Sequence, residues 1–257
     1  MMKYFCFIIL FISCSSLKLP ELSSNEKENI SLKGYREFAK ADYIDHLKSY
    51  HNVYLQNIDQ SEVLLSKTHR DYLASRVKKI ITANELFFKG QVEPEFHIVK
   101  SKVPFHFSLP GQKFFFSTSL LKRYVKNETM LYCLIVYELV RSEKEIYSKN
   151  IIIPTGVLDT ERLLSLLRLK TEDKVEIHKW SYYLLKRIGL ESDSYLSWLQ
   201  IKNRNSLDFA LQLGDVRSIS REEALFKAFL IDNYLDPGRR SNYKGSSKIF
   251  YSFLRSI

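Results

Sequence analysis

Asn127-Glu128-Thr129-Met130-Leu131-Tyr132-Cys133-Leu134-Ile135-Val136-Tyr137-Glu138-Leu139-Val140-Arg141 is the stretch on which the reading of this chain turns. Asn127 suits a helix N-cap, since its short side-chain carbonyl can accept from an N–H of the first turn. Glu128 then places negative charge at the positive end of the helix dipole. From Met130 to Val136 the pattern is apolar almost all round, as in a helix buried at a domain centre. Tyr137, Glu138 and Arg141 follow directly, so polar and charged groups enter the helix where burial is expected. The helix is predicted to run to about Tyr147.

Upstream, apolar residues mix with charges at weak helical spacing over 34–54. A clearer helix is predicted over 61–88, where Val63, Leu64, Leu73, Val77, Ile80 and Ile81 form a stripe and Gly90 and Pro94 close it. Phe96-His97-Ile98-Val99 reads as a short strand and residues 113–117 as another, separated by the Pro110-Gly111 turn signal. Downstream of a loop at Pro154-Thr155-Gly156, helices are predicted over 159–169, 172–188, 194–211, 220–234 and 247–255. Gly189 is a typical left-handed stop for the second of these. The fold class expected is α+β, mostly helical with a small sheet.

The 257 residues suffice for one domain with a substantial core. Hydrophobic residues at 45% and charged residues at 26% fit a folded soluble body. The net charge of +10 would favour anionic surfaces, but the basic residues are spread along the chain. There is no zinc-finger or RRM-like signature and no aromatic ladder, so no nucleic-acid partner is expected. Two of the three cysteines, Cys6 and Cys14, fall in the first fourteen residues, and Cys133 lies inside the apolar helix. A disulfide framework is not expected.

The N-terminus reads as a targeting segment. Lys3 precedes an apolar run from Tyr4 to Ile12, too short to span a bilayer of about 30 Å as a helix. Its length and layout are those of a signal-peptide core over residues 1–13. Phe11-Ile12-Ser13-Cys14-Ser15-Ser16 resembles a bacterial lipobox, with Phe11 where Leu is usual. Lipid on Cys14 would anchor the chain to a membrane, each buried methylene contributing about 0.8 kcal/mol. The polar residues after it complete a tether over 14–33, leaving 34–257 as the folded domain.

Three segments, in order, resemble the gluzincin metallopeptidases, the family of HtpX, the CAAX prenyl endopeptidases and BepA. The first is Phe96-His97-Ile98-Val99 followed by Phe107-Ser108-Leu109-Pro110-Gly111-Gln112, where the family has a strand and a Pro-Gly turn. Phe114, Phe115, Phe116 and Ser117 then match the family's second strand, which edges the substrate cleft. The second is Tyr137-Glu138-Leu139-Val140-Arg141, in place of the His-Glu-x-x-His helix. The third is Glu176-Ile177-His178, which puts Glu176 at the third ligand position. The resemblance implies a zincin-like domain with its sheet at the cleft edge, and a peptide-binding edge at residues 114–117.

His-Glu-x-x-His works because two imidazoles at i and i+4 reach one zinc, with the Glu as general base. Arg141 has five N–H donors and no lone pair. Tyr137 would bind only as a phenolate, against an ordinary pKa of about 10. Zinc is therefore expected to be lost, leaving a vestigial site of Tyr137, Glu138, Arg141 and Glu176. Arg141 is expected to pair with Glu138, Glu176 or both. His97 and His106 are read as solvent-facing or packing residues, and no three His, Cys or carboxylate residues show ligand spacing. Cys133 reads as a small core residue.

The function implied by the resemblance is a non-catalytic, peptidase-like lipoprotein of the bacterial cell envelope, periplasmic or in the outer membrane. Its partners would be the membrane, through the lipid, and a peptide or envelope protein client in assembly or quality control. Two other classes stay open: a working zinc metalloendopeptidase with unusual ligands, and a basic surface adaptor that binds anionic envelope polymer or lipid.

Overall fold

The structure, a computed structural model, describes residues 40–58, 61–85, 93–147, 157–190, 193–233 and 245–257. The expected signal peptide, Cys14 and the tether lie outside the described residues, as does the loop at Pro154-Thr155-Gly156. Among the described residues no helix is long and apolar enough to cross a membrane.

The chain is α+β and mostly helical, with a four-stranded sheet. Helix α1 (Lys40–Ile58) leads to strand β1 (Glu62–Val63), helix α2 (Lys67–Ala83) and strand β2 (Glu95–Val99). Strands β3 (His106–Leu109) and β4 (Lys113–Ser117) form a hairpin, followed by α3 (Thr118–Arg123) and α4 (Glu128–Glu143). Helices α5 (Thr160–Leu166), α6 (Thr171–Arg187), α7 (Asp193–Arg204), α8 (Ala210–Leu213), α9 (Ser218–Asn233) and α10 (Lys248–Ser256) complete the domain.

Period-two alternation gives the sheet two apolar faces. Phe96, Ile98, Phe114 and Phe116 join the main core with α4, α6, α7 and α9. Val99, Phe107, Leu109 and Phe115 face a second core closed by α1 and α5. Helix α1 meets that face with Tyr43, Ile44, Leu47, Tyr50, Tyr54 and Ile58, a stripe at helical spacing. Helix α4 is the hub. It packs on α2, α6, α7 and strands β3 and β4, and almost every residue in it is buried. Asn127 caps it as expected, accepting from Met130 N at 2.8 Å.

Three expectations need correction. The helix predicted over 61–88 begins only at Lys67, because Glu62 and Val63 pair with β2 and the Ser66 hydroxyl caps the new start. The segment read as a turn before Pro110 is strand β3, whose Phe107 and Leu109 alternate with His106 and Ser108. That extra strand changes the place of β4. The strand order is β1-β2-β4-β3, with β4 paired parallel to β2 and antiparallel to β3. Phe114, Phe115, Phe116 and Ser117 therefore lie on an interior strand with no exposed surface, and offer no free edge to a peptide.

Phe116 is buried on all sides, whereas Leu64 is 92% exposed. Phe116→Ala is expected to lower unfolding free energy by about 3–5 kcal/mol. Leu64→Ala should change it by no more than about 0.5 kcal/mol. Urea unfolding of the two variants checks both values, and equal effects would contradict this packing.

Candidate functional site

Helix α4 carries Tyr137, Glu138 and Arg141 into the interior. Glu138 has no exposed surface. Its Oε1 lies 2.5 Å from His106 Nδ1, and its Oε2 accepts from Ser108 Oγ at 2.8 Å. The Arg141 guanidinium stands one turn on, with Nη1 3.8 Å from Oε2. Arg141 Nη2 donates to the Leu167 carbonyl, and the group sits 5.2 Å from the Tyr147 ring. Burial alone would push the Glu138 carboxyl up, but His106, Arg141 and Ser108 outweigh it and hold it below the ordinary range. Burial pushes the His106 imidazole down despite Glu138. The consistent state is a neutral His106 donating Nδ1–H to an ionised Glu138.

A second buried network adjoins the first. His178 on α6 lies 2.8 Å through Nδ1 from Tyr195 Oη and 3.4 Å through Nε2 from Glu222 Oε2. Lys174, one turn before His178, donates to Glu222 Oε1 at 2.7 Å. Burial would raise the Glu222 carboxyl, but His178, Lys202 and Lys174 together bring it down to about 2. Burial lowers Lys202 to about 8, with Lys174 acting the same way and Glu222 against it. Tyr137 joins the networks, its ring 5.6 Å from His106 and 5.4 Å from His178.

The structure thus brings together Tyr137, Glu138 and Arg141, and places Glu176 elsewhere. Glu176 is exposed and 3.9 Å from Lys144 on the surface. It shares the outward face of α6 with half-exposed Trp180 and Tyr183, while Lys174, Ile177, His178 and Ser181 turn inward. Helical spacing groups it with Glu172, Lys179 and Lys186, a charged stripe that marks the solvent face. His106 is a buried packing residue against Tyr137 and Trp198, and β3 also aims it with Ser108 at Glu138. Reading Phe105, Phe107 and Leu109 as an alternating strand would have found both residues. Sequence reasoning missed Glu222, which lies in α9 with no exposed surface. Cys133 is fully buried, and burial raises its thiol well above the ordinary value.

A zinc ion does not fit the positions that the resemblance assigns to its ligands. Burial pushes the Tyr137 phenol far up, with Arg141 pulling the other way, so it stays protonated. Arg141 offers no lone pair, and Glu176 faces away. A cavity of about 20 Å³ lined by His106, Tyr137, Arg141, Lys174, Lys202 and Gln212, among others, is the space beside the cluster. That is room for about one water and no peptide. No protein-family model matches the chain, and no curated protein matches it.

The network makes the fold acid-sensitive in two stages. Neutral His106 and His178 are held below their ordinary range, chiefly by burial. As pH falls through about 6.5 the unfolded chain gains protons that the folded one resists, and stability drops. Glu222 at about 2 adds about 3 kcal/mol at neutral pH. That share is lost as pH falls from about 4.5 towards 2. Urea midpoints should fall slightly from pH 8 to 7, as folded Lys202 completes its protonation, and further below 6.5. Glu222→Gln should remove much of the lower stage, and a midpoint level down to pH 4 would contradict the network.

Proposed function

We propose that this chain is a catalytically inactive, metallopeptidase-like lipoprotein of the bacterial cell envelope. Lipid on Cys14 holds it in the periplasm or outer membrane, where it binds peptide or protein clients in envelope protein assembly or quality control. One observation carries the reading: both oxygens of Glu138, the general-base position of the resemblance, are engaged by His106 and Ser108 inside the core. A general base must reach a water and a scissile carbonyl. Here the carboxylate is spent on holding the helix to the sheet.

Clients would then dock outside the former catalytic centre. Among the described residues β1 pairs only with β2, so its outer edge is free. A groove of about 740 Å³ runs beside it, lined by Val63, Leu64, Leu65, Pro94 and Phe96 together with charged residues of α2. An extended client adding to β1 would gain main-chain hydrogen bonds and an apolar trough.

The test uses the full chain in detergent with fluorescent casein as probe. No cleavage above a Glu138→Gln control is expected, with or without added zinc. Unfolded casein should bind, and Leu64→Glu should weaken that binding about tenfold, or about 1.4 kcal/mol. Zinc-dependent cleavage that disappears in Glu138→Gln would overturn the proposal in favour of a working peptidase.

A further inference from the structure

Far from Glu138 in sequence and on the other face of the sheet, His51, Glu95 and His97 converge. His51 comes from α1, and Glu95 and His97 are alternate residues of β2, so they project from the same face. His51 Nε2 is 3.2 Å from His97 Nε2. Glu95 Oε2 is 3.6 Å from the first and 3.7 Å from the second. A triangle with these sides has a point about 2.0 Å from all three corners, the length of a zinc bond to nitrogen or oxygen.

The outer partners of the rings decide what those three atoms present. His97 Nδ1 lies 2.7 Å from Glu62 Oε1, and His51 Nδ1 lies 3.1 Å from Asn52 Oδ1. Each faces an oxygen acceptor and donates its proton there, which leaves Nε2 with a lone pair on both rings. Two lone pairs and a carboxylate oxygen then face one another across less than 4 Å. Such an arrangement needs either a proton or a metal cation between the nitrogens. The Glu62–His97 pair is the carboxylate–histidine arrangement that orients a metal-binding imidazole. Lys113 bonds Glu95 through Oε1, so Oε2 alone is turned to the histidines. Phe115 stacks on His97 at 4.7 Å and fixes the ring plane.

We propose that His51, Glu95 and His97 bind one divalent transition-metal ion of the zinc class, with Glu62 as the positioning residue for His97. Two imidazoles and a carboxylate suit zinc, whereas magnesium and calcium favour all-oxygen shells. Three protein ligands leave a fourth position, and Glu95 and His97 also line the groove beside β1. The ion ties α1 to the sheet across 46 residues of sequence, His51 to His97. Its role is therefore to fix the first helix over the second core, and binding contributes to folding stability directly.

The experiment is calorimetric titration of zinc chloride into the full chain, in detergent, stripped by chelator and carrying no polyhistidine tag. One ion per chain is expected, with a rise in Tm that excess chelator reverses and magnesium does not reproduce. His51→Ala and His97→Ala should each weaken binding more than a hundredfold, and Glu62→Gln by about 10–100-fold. Binding that persists in His97→Ala, or no binding in the wild-type chain, overturns the site. Cobalt(II) absorption on the wild-type chain gives a check that needs no variant, and the absence of a zinc-displaceable visible band also overturns it. The Glu138→Gln chain must bind zinc as wild type does. If zinc is lost there and retained in His97→Ala, the ion sits at the peptidase position and the inactive reading falls with this site.

Discussion

The Glu138 carboxylate, buried among His106, Ser108 and Arg141, is the constraint around which the rest of the domain is arranged. A charge taken wholly from water costs several kcal/mol unless hydrogen bonds and an opposite charge meet it. Here the partners come from two places, the β3 strand and the next turn of α4. Satisfying the charge therefore fixes the sheet against the helix. Ser108 Oγ lies within hydrogen-bond reach of the Glu138 backbone carbonyl as well. One turn on, Ser142 accepts from Gln112 N and donates to the Leu109 carbonyl. The β3–β4 hairpin is stitched to α4 at both ends of this short segment, and its register follows.

The second network extends the same logic to the C-terminal helices. Glu222 on α9 is matched by Lys174 and His178 on α6, with Lys202 on α7 adding positive charge. Tyr137 bridges the two clusters through its ring, so α4, α6, α7, α9 and β3 share one polar interior wrapped in aromatic side chains. Buried polar networks specify a single arrangement where their groups are paired; both Glu138 oxygens and both Glu222 oxygens are paired, while His106 Nε2 and Arg141 Nε are not. The geometry that engages both Glu138 oxygens is the same geometry that holds the fold.

Much of this was legible in the sequence because the central helix announces itself. Asn127 as cap and an apolar run through Val136 give a buried helix without any tertiary information. Tyr137 and Arg141 stand where a zinc site on it would need two imidazoles, and their donor chemistry is read from residue type alone. Strand β4 was legible as a strand but not as an interior one, since that depends on β3, whose four residues sit beside a Pro-Gly turn and resemble part of it. Glu176 lies outside the cluster because helical phase, and not motif spacing, sets its face, which it shares with Glu172, Lys179 and Lys186. His51, Glu95 and His97 had no signal. Two of them are alternate residues on a strand, and the third lies on a helix whose packing only the fold decides.

Arg141 compensates the buried Glu138 charge, and the unfolding free energies of Arg141→Leu alone and combined with Glu138→Gln measure that compensation. Removing the guanidinium from beside an ionised, unexposed carboxylate is predicted to cost about 3–5 kcal/mol. Neutralising Glu138 in the same chain should recover part of that loss, as coupled neighbours do. An Arg141→Leu chain that melts at the wild-type temperature would contradict the account.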